Sequence, residues 1–162
     1  MAHRAFTVAE ANAMIPLLEE QLTRIERCKE EAREHYERLQ LLEALWGEKL
    51  VEPSNPDHAE FRAHRDAVEE VAREIGRIVE EEILARGIRF PQGGIEHGLL
   101  DFPTTLAGRW VYLCWRSGES RVEAWHEVDA GFAGRQEITP EHAWQMGRED
   151  DPALEDDSAL DF

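Results

Sequence analysis

The sequence predicts an α+β protein: a long antiparallel helical hairpin, then a small antiparallel β-sheet, then an acidic disordered tail. Three observations carry that prediction. Apolar residues recur at steps of three and four through the first half of the chain. After Gly87 short alternating runs punctuated by glycine replace them. The last residues are rich in Asp and Glu and have no apolar period. The corresponding boundaries are 1–86 for the hairpin, 87–146 for a β module packed on it and 147–162 for the tail.

The first helix has a defined start, because Thr7 is placed to cap the free N–H groups, Glu10 to complete a capping box and Phe6 to pack on Ala11 as a staple. From there Ala11, Ile15, Leu18, Leu22, Ile25, Cys28, Ala32, Tyr36, Leu39, Leu42 and Trp46 lay one apolar stripe along a helix of about forty residues. Pro16 lies inside this pattern and predicts a kink near Asn12, whose carbonyl loses its partner. Breakers fill Gly47 to Pro56, and Asn55-Pro56 suits a cap with proline at the first helical position. Phe61, Val68, Val71, Ile75, Ile78, Val79 and Ile83 mark a second helix that ends at Arg86-Gly87. Two helices leave much of each stripe uncovered. Either the sheet that follows or a second copy of the chain covers it, and since one small sheet cannot fully cover two long stripes, a homodimer is expected.

Strands are expected near 88–90, 97–102, 109–116 and 121–128. Ser117-Gly118-Glu119-Ser120 suits a two-residue type II′ turn, which sets Tyr112 opposite Trp125 and Val111 opposite His126. In that register His126 shares an apolar face with Val111, Leu113 and Trp115, while Cys114 faces Glu123.

Charge narrows the partners. With 35 acidic and 18 basic side chains the formal charge is −17, a field that repels phosphate backbones and anionic headgroups. Neither nucleic acid nor a membrane is an expected partner. The two cysteines, Cys28 and Cys114, lie far apart and read as free thiols of a reducing compartment, so a cytoplasmic location is expected.

Among single residues, His126 is the sharpest candidate: an imidazole on an apolar strand face either ligates a metal or bonds a backbone carbonyl in the core, and the core reading is ahead. Asp101 precedes Phe102-Pro103 and serves a cleft or a local turn. Glu119 sits at a hairpin tip. Cys114 reads as a structural thiol, since Glu123 beside it would raise its pKa. Glu123-Ala124-Trp125-His126 spells Glu-x-x-His, which is a di-iron signature only on a helix. Gly131 to Arg135 reads as a structural turn ahead of an anion-binding nest. Trp115, Trp125 and Arg135 form a candidate binding surface. No HExxH, paired CxxC or GxSxG occurs.

Taken together, FTVAEANAMIP at the start, GLLDFP at 98–103, LCW at 113–115, GE at 118–119 and WHEVDAGFAGR at 125–135 resemble the uncharacterised bacterial family domain of unknown function 2203, over about residues 5 to 138. The resemblance implies no activity or ligand. It marks Asp101, Phe102, Pro103, Trp115, Gly118, Glu119, Trp125, His126, Gly131 and Arg135 as recurrent positions.

The absence of a complete catalytic constellation favours a non-enzymatic, dimeric binding or scaffold protein. The alternative is a small metal-binding protein or metal-dependent enzyme, in which Asp101, Glu119 and His126 hold a divalent metal and Arg135 an anionic group.

Overall fold

A computed structural model describes residues 3–161. The chain forms two compact units, one of residues 20–82 and the other of the N-terminal residues up to 19 together with those from 83 onward. Helix α1 (Val8–Trp46) belongs in part to each. It begins as the sequence predicts: the Glu10 amide donates to Thr7 Oγ1 and the Thr7 amide to Glu10 Oε1, both at 3.1 Å.

In the unit of residues 20–82, α1 is paired with α2 (His58–Arg77). The pairs Arg24–Glu74, His35–His64 and Arg38–Glu60 advance along α1 while retreating along α2, so the two helices are antiparallel. Leu22, Ile25, Leu42, Leu50, Val71 and Ile78 are buried. The turn is closed by the Trp46 indole donating to Asp57 Oδ2 at 2.7 Å. Asp57 is the N-cap residue of α2, so the helix starts beyond the Asn55-Pro56 pair that the sequence offered as its cap.

In the other unit the sheet has strands β1 (Leu99–Leu106), β2 (Arg109–Arg116), β3 (Ala124–Glu127) and β4 (Gln136–Glu137), all antiparallel and in sequence order. The segment before β1 is the short helix α3 (Gly94–His97) instead of the start of a strand. The β1–β2 turn is Ala107-Gly108, with φ of +50° and +82°, the doubly left-handed geometry that matches strand twist. Arg89 pairs with Asp101 as an isolated bridge beyond β1. On one sheet face Leu100, Phe102, Leu113 and Trp115 are fully buried, and the Phe6 ring meets Phe102 edge to face at 5.3 Å. The other face carries Asp101, Trp110, Tyr112, Cys114 and His126.

The register of β2 with β3 corrects the expected turn. Tyr112 stands opposite His126, Leu113 opposite Trp125 and Cys114 opposite Ala124. The tight turn at 116–119 is present, with the Glu119 amide donating to the Arg116 carbonyl, but pairing resumes only at Ala124. Residues 120–123 are drawn aside instead: the Val122 amide donates to Asn12 Oδ1 at 2.7 Å. A one-residue shift exchanges the face of every side chain, and it moves His126 onto the face of Cys114 and Asp101.

The C-terminal segment is a second correction, because it is ordered against the sheet in place of the expected disordered tail. Helix α4 (Pro140–Gln145) leads to Gly147, where an added Cβ would lie 2.5 Å from the Phe6 carbonyl oxygen. Single 3₁₀ turns follow at Pro152–Glu155 and Ser158–Leu160. Ala153 and Leu160 pack with Trp110 and Tyr112, and the Trp110 indole donates to the Ala153 and Asp156 carbonyls at 2.9 and 3.0 Å. Acidic side chains hold the segment's backbone: Asp151 caps its 3₁₀ turn by accepting from the Ala153 amide, Asp156 accepts from the Ser158 amide, and Asp157 accepts from the His3 amide across the chain.

Two outcomes are expected. Leu160→Ala should cost about 2–5 kcal/mol, read as a lowered urea midpoint with unchanged slope, because it empties a fully enclosed site. Ala107→Asn should raise stability by about 1 kcal/mol, because Asn tolerates the left-handed region that alanine occupies there under strain.

Candidate functional site

Adjacent strands bring three chemically able side chains together in the dry face of the sheet. Asp101 comes from the centre of β1, Cys114 from the facing position of β2 and His126 from β3. All three are buried, and one ligand atom from each lies within 4.8 Å of the others. His126 Nε2 is 3.1 Å from Asp101 Oδ1, and Nδ1 is 2.7 Å from the Glu127 carbonyl oxygen. A carbonyl only accepts, so Nδ1 carries a proton and Nε2 is the atom that faces the carboxylate. Asp101 is fixed from its backbone as well, by reciprocal 2.8 Å amide–carbonyl bonds with Arg89.

The electrostatics follow from burial and from the carboxylate. Burial pushes the Cys114 thiol up to about 12, with the Asp101 charge adding to the effect, so the group is a neutral thiol at physiological pH. For His126, burial works against the charged ring, but the hydrogen bond and charge of Asp101 and the Glu127 carbonyl outweigh it and raise the imidazole above its ordinary value. Without an ion, the arrangement is a buried imidazole hydrogen-bonded to a carboxylate, with a neutral thiol beside it.

The other sequence candidates lie elsewhere. Glu119, expected as a metal ligand, is bound by Arg135 Nη2 at 2.8 and 3.0 Å and accepts from the Arg116 amide at 2.6 Å. Among the described residues the group that converges is Asp101, Cys114 and His126, without Glu119. Trp115 and Trp125, expected on a binding surface, are 0% and 4% exposed. The Trp115 indole donates to the Glu119 carbonyl at 2.9 Å, and Trp125 meets the His142 ring edge to face. Of that surface only Arg135 reaches an open cleft, of about 640 Å³, which it lines with Glu119, Arg121, Glu123 and Glu137. Its mixed charges select no single ligand sign.

Cys114 is the residue that the sequence reading set aside, and the register is the reason. With Ala124 opposite, its neighbour is Asp101 and not Glu123. The usable signal was strand parity: Asp101 and Cys114 fall on one face once β1 and β2 are joined by a two-residue turn at 107–108.

Two measurements check this geometry. In metal-free protein the stabilisation from the raised His126 should be complete below the unfolded value of about 6.5 and lost as pH rises through the folded value. Melting followed across that range should show the fall, and His126→Gln should flatten it. A thiol-alkylating reagent applied to native protein should label the half-buried Cys28 and leave Cys114 untouched until the protein unfolds.

No curated protein and no solved structure matches the chain. A family model described as an uncharacterized conserved protein, DUF2203, matches residues 4–138. That span includes Asp101, Cys114, His126, Glu119 and Arg135, and excludes the segment that covers Trp110. The chain belongs to this conserved family of unknown function.

Proposed function

We propose that the sheet unit is a metal-binding module that holds one divalent transition ion through Asp101 Oδ, Cys114 Sγ and His126 Nε2. The observation that carries the reading is the convergence of these three donors within 4.8 Å in a buried place, with the remaining ring nitrogen of His126 already engaged by a carbonyl. That second bond is how metal-ligating histidines are oriented. One carboxylate, one thiolate and one imidazole suit a borderline ion such as zinc. Two negative ligands against a double positive charge also leave no net charge in a dry interior. The ion would fix the three strands to one another and would keep the thiol ionised. The reading is non-enzymatic, since none of the three side chains lines the open cleft beside Arg135.

Binding should release the thiol proton and the Nε2 proton, which calorimetry in buffers of different ionisation enthalpy would count. Cobalt(II) should give a thiolate charge-transfer band that Cys114→Ser abolishes. Asp101→Asn and His126→Gln should each abolish that band as well, whereas Glu119→Gln should leave it intact. A folded protein that takes up neither zinc nor cobalt at micromolar concentration would show the trio to be a structural hydrogen-bonded cluster.

A dimer through the hairpin is the second reading. It is favoured by Leu41 and Leu45, one helical turn apart on α1 and 62% and 68% exposed. Light scattering at tens of micromolar should give twice the chain mass, and Leu41→Glu should return it to the monomer value.

A further inference from the structure

The hairpin holds a second set of metal-type donors, separate from the sheet. His35 on α1 and His64 on α2 face each other across the helix pair, with Nδ1 atoms 2.8 Å apart and ring centroids 5.1 Å apart. Each ring has a glutamate four residues earlier on its own helix, and those carboxylates approach the opposite ring nitrogens. Glu31 Oε1 is 4.0 Å from His35 Nε2, and Glu60 Oε1 is 3.5 Å from His64 Nε2. The arrangement is the same twice over, Glu-x-x-x-His on each of two antiparallel helices.

A carboxylate beside Nε2 favours the tautomer that keeps a proton there, which leaves the lone pair on Nδ1. Glu60 acts in this way on His64, whose Nδ1 lone pair then accepts the Nδ1–H of His35 across 2.8 Å. An ion entering at that point replaces this proton, which moves to His35 Nε2 on the side of Glu31. Arg38 bonds Glu60 and holds its carboxyl below the usual range, so Glu60 remains an acceptor for His64. Arg38 is also the cation an incoming ion would meet. The two imidazoles are about a quarter exposed, at 26% and 24%, which leaves solvent to complete a coordination shell.

We propose that His35 and His64 form a cross-helix site for a borderline divalent ion, zinc, nickel or copper(II), with Glu31 and Glu60 orienting the rings from behind. Two nitrogens bound to one zinc at about 2.05 Å in tetrahedral geometry stand roughly 3.3 Å apart, so a shift of about a quarter of an ångström at each ring from the observed 2.8 Å admits the ion. Imidazole donors suit these ions, and copper(II) should bind most tightly. Residues 29 apart in sequence would then be tied by one ion, and any ligand that binds only the folded hairpin stabilises it by mass action.

The test is calorimetric titration of the full chain with nickel(II), in excess magnesium to occupy non-specific carboxylates. One nickel equivalent is expected that His35→Gln and His64→Gln each weaken at least tenfold, with the double variant no worse than the more damaged single one. Glu60→Gln should weaken it about tenfold through loss of ring orientation. All variants should melt within a few degrees of the parent in chelator, which separates loss of binding from loss of fold. The same equivalent should survive in Asp101→Asn and Cys114→Ser, so failure of the sheet site and failure of this one are told apart. Nickel affinity in the double variant within twofold of the parent, or an equivalent that vanishes with Asp101→Asn, would overturn the proposal.

Discussion

The pairing of Tyr112 with His126 is the constraint on which the sheet unit depends. It places an ionisable ring 1% exposed against a carboxylate 3% exposed, and a buried charge of either sign is tolerated only when its partner is within bonding distance. Had the strands paired one residue away, His126 would face Leu113 and Trp115, and Asp101 would be left in the interior opposite a thiol alone. The register and the raised proton affinity of His126 are therefore one fact seen two ways.

The same face explains why the C-terminal segment is ordered. Trp110 and Tyr112 alternate with Cys114 along β2, so the strand that presents the polar cluster also presents two large aromatic rings. Ala153 and Leu160 cover them, and the indole N–H gains carbonyl acceptors that it would lack if the face were closed by side chains alone. Arg89 extends the network, donating to the Leu160 carbonyl at 2.6 Å and to the Tyr112 hydroxyl at 3.2 Å. Asp151 and Asp156 bind backbone amides at the two 3₁₀ turns and Asp157 binds the His3 amide, so part of the charge that reads as a disordered tail in the sequence holds backbone in the structure.

The two proposed ion sites sit in opposite surroundings. The donors in the sheet are enclosed and include a thiol, which favours a retained ion and slow exchange. Those in the hairpin are part-exposed imidazoles with carboxylates behind them, which favours an exchangeable ion. A net charge of −17 draws cations toward the chain from every side, so selectivity must come from nitrogen and sulfur donors and not from charge.

Periodicity and punctuation made much of the fold legible. The Thr7–Glu10 capping box, the long α1, the Gly87 terminus and the antiparallel course of α1 and α2 follow from residues that act on neighbours three or four positions away. Asp101 and His126 were visible as polar residues in strands of apolar character. Their meeting was not, because strand register depends on how the β2–β3 connection is held, and a side chain remote in sequence, Asn12, binds the Val122 amide within it. Cys114 already faces Asp101 through the β1–β2 pairing, and the shift brings His126 to the two of them. The C-terminal segment reads as a disordered tail in the sequence because single 3₁₀ turns are too short to show a period, and Ala153 and Leu160 acquire meaning only beside Trp110. The sequence by itself determined the two long helices, the main strands and two of the three clustered residues, Asp101 and His126. Only the tertiary structure decided which of those residues touch, because contacts between distant segments are set by packing and register rather than by local backbone preference.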